Sequence, residues 1–191
     1  MVYTVGVPYG SSLRDRTSTA ILDGAAVAFS RHGALASMDE VADAAGVGRA
    51  TLYRHFPSRE VLLEALAAYA LDETCAHFGA AEVAVVPVRE GVARAARALV
   101  AAWNKYAVLA SEIEDIKRVG VEERIGVPLR ALFRRGMADG TLRAEWTEDE
   151  LAHVFGGLLY AAGQMTAAGT MGTERAAALV TTVFLEGTGV R

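Results

Sequence analysis

The 191-residue chain has one cysteine, Cys75, and four prolines. A lone thiol excludes an internal disulfide framework and any all-cysteine metal site. So few prolines, beside 19 glycines, exclude collagen-like and low-complexity architectures. No uncharged apolar run reaches the roughly 18 residues that a membrane span requires, since Arg, Asp or Glu interrupts every long stretch. The opening residues, MVYTVGVPYGSS, have neither the basic start nor the apolar block of a secretory signal. These absences lead to the expectation of a soluble, cytoplasmic protein in a reducing compartment, with no membrane partner.

A surplus of basic charge is missing as well. Net charge is −4 and pI about 5.6, which taken alone argues against a nucleic-acid partner. The charges are unevenly placed, however. Residues 1–60 hold six Arg against six acids, and residues 61–191 hold 13 basic against 17 acidic side chains. Between Gly46 and Arg59 stand Arg49, Arg54, Arg59 and His55, with no acid among them. Salt confines the field of an exposed charge to about 8–10 Å, so a local basic face can bind phosphate on a neutral domain.

What remains is dominated by helix. Hydrophobic residues make up 52% and charged residues 22% of the chain, a globular balance, and nothing reads as a strand. Residues 1–13 lack a helical period and read as a flexible N-terminal arm. A first helix fits residues 17–31, with Ile21, Ala25, Ala28 and Phe29 on one face and Gly33 at its end. Ser37-Met38-Asp39-Glu40 is a capping box that opens a short second helix, ending before Gly46. A third begins near Gly48 or Arg49 and must stop by Phe56, because Pro57 disfavours helix at the residue before it. Ser58 can cap a fourth, striped by Val61, Leu62, Ala65, Leu66 and Tyr69.

Two amphipathic segments follow, at residues 88–110 and 121–137; Pro128 permits either a start near Val127 or a kink. Thr147-Glu148-Asp149-Glu150 is a second capping box, ahead of Leu151, Val154, Phe155, Leu158, Leu159 and Ala162 at helical spacing. Thr173 opens a last helix with Ala176, Leu179, Val180, Val183 and Phe184 on one face. The turn at residues 169–172 makes these two an antiparallel pair.

Residues 37–56 carry the chemistry: two short helices, SMDEVADAA and RATLYRHF, joined by a glycine turn. Val41, Ala45, Val47, Leu52 and Phe56 supply the inward faces. Outward on the second helix are Arg49, Ala50, Thr51, Tyr53, Arg54 and His55. This is the pattern of a helix-turn-helix, whose second helix enters the DNA major groove by its N-terminal end. Arginine can bond guanine O6 and N7 bidentately, and threonine can touch a thymine methyl or a phosphate. Tyrosine and histidine can donate to phosphate oxygens. Arg59, in the first turn of the next helix, can reach a phosphate beside that helix's positive end. Tyr53 can instead pack half-buried, and Arg54 can instead pair with a nearby acid. Arg49 opposes the helix dipole where it stands, which points to an external anion.

GVGRATLYRHFPSREVLLEAL closely resembles the signature of the tetracycline-repressor (TetR) family of transcriptional regulators. The resemblance covers about residues 16–70 and extends, more weakly, to LRALFRRGMADGTLR and the final helix pair. It implies an all-α fold: a three-helix DNA-binding domain at residues 14–60 and a helical regulatory domain at residues 61–191. By position, Thr51, Tyr53 and His55 match DNA-contacting residues of the family, Arg59 a phosphate-gripping lysine, and Ser37 a position that often touches phosphate. Gly48 departs from the serine or threonine common there, which removes one phosphate contact.

The resemblance further implies a homodimer that binds a double-stranded palindromic operator and is released by a small apolar or amphipathic effector. Leu66, Tyr69, His77, Phe78, Trp103, Tyr106 and Phe133 are the candidate effector-lining residues, although aromatic side chains at this spacing are more often core. Leu151, Val154, Phe155, Leu158, Leu159, Val180, Val183 and Phe184 are the candidate dimer contacts, with Gly156, Gly157, Ala161 and Gly163 permitting close helix approach. A different reading keeps the DNA binding but drops the sensor, leaving a structural or division-associated DNA-binding module. No cofactor, metal site or enzymatic activity is expected. Cys75 and His77 diverge by about 200° on a helix, and no phosphate loop or nucleophile elbow appears.

Overall fold

A computed structural model of the chain describes residues 13–106 and 121–190. The expected arm lies outside the described residues up to position 12, as does the continuation of the 88–110 segment beyond 106. Among the described residues the architecture is all-α: α1 (Leu13–His32), α2 (Met38–Ala45), α3 (Arg49–His55), α4 (Arg59–Ala80), α5 (Val88–Tyr106), α6 (Val127–Ala138), α7 (Glu148–Ala167) and α8 (Thr173–Thr188). The only extended pairing among them is an isolated antiparallel bridge, Leu142 to Gly189. The chain divides into two compact units, one up to Leu66 and one from Ala67 onward. The division falls within α4, six residues beyond the boundary expected at 60.

In the first unit, α1 buries Ile21, Leu22, Ala25, Ala26, Ala28 and Phe29. It starts four residues earlier than its apolar period suggested. Gly24 is where α2 comes close: a Cβ there would stand 2.5 Å from the Ala45 nitrogen. The Ser37 capping box forms as expected, its hydroxyl accepting from the Glu40 N–H at 3.2 Å while the Glu40 carboxylate accepts from the Ser37 N–H at 2.7 Å. α2 ends at Gly46, whose φ of +65° is cheap only for glycine. Two backbone bonds close that end, Val47 N–H to Ala42 O and Gly46 N–H to Asp43 O, the Schellman pattern. From α4, Leu62, Leu63 and Leu66 are buried, but Val61 is 43% exposed and stands outside the expected stripe.

In the second unit, α5 buries Val88, Val92, Ala95, Ala96 and Val100. A wide π-helical turn, Glu122–Gly126, precedes α6, and Pro128 sits in the first turn of α6. Proline has no N–H to give to the residue four earlier, and the 121–137 segment accommodates it as a wide helical turn that runs on into α6 with helical backbone throughout. α7 and α8 fold back on each other. Phe133, Phe155 and Phe184 form a ring cluster with centroids 5.0–5.6 Å apart. The residues between α4 and α5 are held by Arg135, which donates to the carbonyls of Val83, Ala84 and Val86. No helix among the described residues is long and apolar enough to cross a membrane.

Candidate nucleic-acid interface

α3 is seven residues long, too short to persist alone, so tertiary contacts must hold it. Leu52 is fully buried and Phe56 is 6% exposed; these two anchor the helix in the first unit. Their burial turns the other face outward. Arg49, Ala50 and Arg54 are exposed, Tyr53 is 37% exposed, and Thr51 and His55 are half-buried. The expected polar face is therefore brought together on one side of one helix.

Arg49, Thr51, Arg54 and His55 on this face already have partners within the chain. Arg49 Nη1 donates to Asp39 Oδ2 at 2.9 Å, and its guanidinium carbon lies 5.6 Å from the Tyr53 ring centroid. Arg54 Nη2 donates to Thr51 Oγ1 at 3.0 Å, so it bonds a hydroxyl rather than an acid. His55 Nδ1 and the Ser18 hydroxyl are 3.0 Å apart, which ties the end of α3 to α1. An anion of this chain, the Asp39 carboxylate, already stands at the Arg49 guanidinium, so an external anion would have to compete with it. Neither Asp39 nor Ser18 was picked out from the sequence. Each meets its partner across a turn or from another helix, and only the folded geometry supplies that proximity.

Two other candidate phosphate contacts have scaffold partners. The Ser37 hydroxyl also donates to Glu40 Oε2 at 2.9 Å, so a phosphate would compete with the capping box. That box holds the Glu40 carboxyl below its ordinary range, first through the Ser37 backbone N–H and then through its hydroxyl. Arg59 lies over the Phe29 ring at 4.9 Å and donates through Nη1 to the Ala36 carbonyl. It fastens the start of α4 to α1 and to the turn before α2. Gly48 is the N-cap of α3 and makes no side-chain cap bond.

The candidate effector residues are scattered between environments. Leu66 is buried in the first unit, while Phe78 and Phe133 belong to the core of the second. His77 is exposed, and Tyr106 closes α5 with its side chain outside the described set. Tyr69 and Trp103 are half-buried. Lys105 Nζ lies 5.7 Å from the Tyr69 ring centroid and contacts both Glu73 carboxylate oxygens, at 2.8 and 2.9 Å. Trp103 meets Tyr160 edge to face at 5.3 Å, and its indole nitrogen is buried with no hydrogen-bond partner among the described residues. Cys75 is buried, and desolvation pushes its thiol pKa up.

The candidate dimer contacts separate cleanly by burial. Leu151, Phe155, Val180 and Phe184 are at most 2% exposed; they are the core of this chain, a correction to their expected place at an interface. Each supplies the inward half of an apolar stripe too broad to be covered by one neighbour. Val154 and Val183 are exposed, and Leu158 and Leu159 are half-buried. Gly156, Gly157 and Ala161 are exposed, but Gly163 is buried against the Trp103 ring. Gly163 therefore serves packing within the chain and not helix approach by a second copy.

Residues 21–66 match the family model described as "Bacterial regulatory proteins, tetR family". The HTH-type transcriptional repressor LfrR of Mycolicibacterium smegmatis is 39% identical over 84 residues, which is 44% of this chain and 44% of that repressor. The matched stretch is thus less than half the relative's length. The crystal structure of LfrR from Mycobacterium smegmatis in complex with proflavine has a TM-score of 0.73 at 24% identity, over 94% of this chain and 100% of that one. The TetR-family regulator PfmR from Thermus thermophilus has a TM-score of 0.71 at 24% identity, over 90% and 98%. At these identities the structures show a shared fold.

Proposed function

We propose that the chain is a member of the TetR family of bacterial regulatory proteins, to which residues 21–66 are similar, and that it acts in the cytoplasm as a dimeric repressor. It binds a palindromic operator and is released by a small apolar or amphipathic effector. The observation that carries the DNA-binding half is the outward face of α3, where Arg49, Tyr53 and Arg54 stand exposed while Leu52 and Phe56 fix the helix from behind. Thr51 and His55 flank that face, and Ser37 and Arg59, at the starts of α2 and α4, stand close enough in sequence to add phosphate contacts. A dimer must set two such helices about 34–36 Å apart to read one operator face.

The dimer half rests on Val154, Leu158, Leu159 and Val183, which leave apolar surface on α7 and α8 after the core is filled. The effector half rests on Tyr69 beside the Glu73–Lys105 pair and, separately, on the half-buried Trp103 packed on Tyr160, aromatic surface with a few polar groups, as small-molecule sites usually have. Proflavine, which the LfrR neighbour holds, is the first probe. A hundredfold release of operator requires about 2.7 kcal/mol of coupling, and operator must weaken effector binding by the same factor.

The test is fluorescence anisotropy of the purified protein against the intergenic DNA upstream of its own gene, with Tyr53→Ala as the control. Neutralising about three phosphates per subunit gives a slope of log affinity against log salt near −5 for the dimer. Salt-sensitive binding by the wild type and its loss in a folded Tyr53→Ala protein support the reading. A slope near zero on a specific site removes the roles given to Arg49 and Arg54. Equal binding to many unrelated duplexes fits the sensorless DNA-binding module instead.

A further inference from the structure

Asp39 stands in the first turn of α2, where the helix dipole favours an acid, yet its charge lies beside the basic face of α3. Its Oδ2 accepts from Arg49 Nη1 at 2.9 Å, and the same guanidinium lies against the Tyr53 ring. Both side chains are more than half exposed, and exposed ion pairs contribute little to stability. The consequence of this pair therefore falls on binding. Arg49 and Tyr53 are two of the candidate contacts, and Asp39 sets where the first lies and what charge it offers.

We propose that Asp39 is a specificity-determining residue that competes with DNA phosphate for Arg49. The inference rests on α3 being the recognition helix. A phosphate on random DNA must displace a carboxylate already at hydrogen-bond distance and must bring its own negative charge beside Asp39. Random DNA thus gains little from Arg49. Arginine carries five N–H donors in a fixed fork, and Asp39 engages one of them at Nη1. The guanidinium stays oriented, and its remaining donors can meet a base edge such as guanine O6 and N7. Asp39 acts through Arg49 as a positioning residue, and it lowers binding everywhere except where the sequence supplies that acceptor.

The experiment compares full-length wild type with Asp39→Asn on a random-sequence duplex and on the operator recovered above. The variant should bind random DNA several-fold more tightly at low salt. Its salt slope on random DNA should steepen by about 1 for each subunit, as one newly available cation does. Operator affinity should move less, so the operator-to-random ratio falls. Asp39→Ser, which also removes the charge and suits a helix start, should reproduce the result if Asn disturbs α2. In an Arg49→Met background, Asp39→Asn should leave the slope where Arg49→Met put it.

An unchanged slope on random DNA in both Asp39 variants overturns the proposal. So does an equal steepening in the Arg49→Met background, which would make Asp39 a plain repulsive charge. Wild type that shows no salt-sensitive DNA binding overturns the regulator reading itself. Wild type that binds, with Asp39 variants indistinguishable from it, overturns only the role of Asp39.

Discussion

The two compact units bury apolar helix faces with different material. The first, up to Leu66, packs helices of 20, eight and seven residues together with the start of α4. Phe29 lies beneath the Arg59 guanidinium, and Phe56 beside the His55 ring. The second packs the remainder of α4 with helices of 19, 12, 20 and 16 residues, and the Phe133–Phe155–Phe184 cluster lies in its core. Short helices put their ends close to one another, so caps and polar side chains do much of the holding. They also leave a polar face standing between two helix starts. Long helices bury volume, and few polar groups, such as the Trp103 indole nitrogen and the Thr166 and Thr188 hydroxyls, go inside with it. The first unit is thus sensitive to how its backbones approach, and the second to how its rings fill space.

The largest expected effect lies in the ring cluster. Phe184 is 1% exposed and meets both Phe133 and Phe155. Phe184→Ala should cost about 3–5 kcal/mol, the transfer and cavity terms together. Both tryptophans, Trp103 and Trp146, lie in the second unit, so their fluorescence during denaturant unfolding reports that unit alone. A loss below about 1 kcal/mol would mean that the three rings are not a close-packed core and would erase the contrast with the first unit.

A smaller effect separates the units by what must move. A Cβ at Gly24 would stand 2.5 Å from the Ala45 nitrogen and 2.6 Å from its Cα; neither atom can rotate away. Gly24→Ala should destabilise by about 1–3 kcal/mol and shift α2 on α1, and operator affinity should fall with it. A Cβ at Gly163 would overlap the Trp103 ring, so there a side chain of the second unit, not a backbone, must shift. Gly163→Ala should therefore change Trp103 emission while leaving operator affinity in place. Unaltered amide exchange in α2 of the Gly24→Ala protein would show that the first unit tolerates a closer approach than its geometry allows.

How much of this was legible in the sequence follows from the range of each interaction. The Ser37–Glu40 and Thr147–Glu150 boxes span three residues, so the whole interaction is contained in four letters, and both were readable. Gly46 was readable for the same reason, as a local backbone need. The Arg49–Asp39 pair spans ten residues and the Arg59–Ala36 bond 23; spacing alone carries no trace of either. The stripes on α7 and α8 gave the correct period. A face repeating at i, i+3, i+4 and i+7 exceeds 100° in width, however, and the period does not divide it. Burial puts Leu151, Phe155, Val180 and Phe184 inside and leaves Val154 and Val183 out. Phe78 and Phe133, the expected effector contacts, are buried, and the sequence could not show that, because an aromatic side chain fills a core or lines a site with the same letters. At Pro128 the sequence allowed a start or a kink, and the structure shows a third solution, a wide turn that keeps the backbone helical into α6.

The smallest expected effect is the one both units share. Glu40 and Glu150 are each held below the ordinary carboxylate range, first by the backbone N–H of the N-cap residue, Ser37 or Thr147, and then by its hydroxyl. A carboxyl whose folded pKa is depressed adds stability above its unfolded value, about 4.3 for glutamate. That stability is lost as pH falls through the folded pKa. Replacing the cap, Ser37→Ala in α2 or Thr147→Ala in α7, weakens the partner that lowers the pKa. The difference in local opening between wild type and either variant should then be widest above about pH 5 and narrow as pH falls below the unfolded value. The hydroxyl's own backbone bond, which does not titrate, leaves a remainder. Amide exchange in the first turn of α2 and of α7, measured at neutral pH and near pH 3, separates the two boxes. If the gap narrows in one unit and stays constant in the other, the caps are not equivalent, and the short-helix unit depends on its acid in a way the long-helix unit does not.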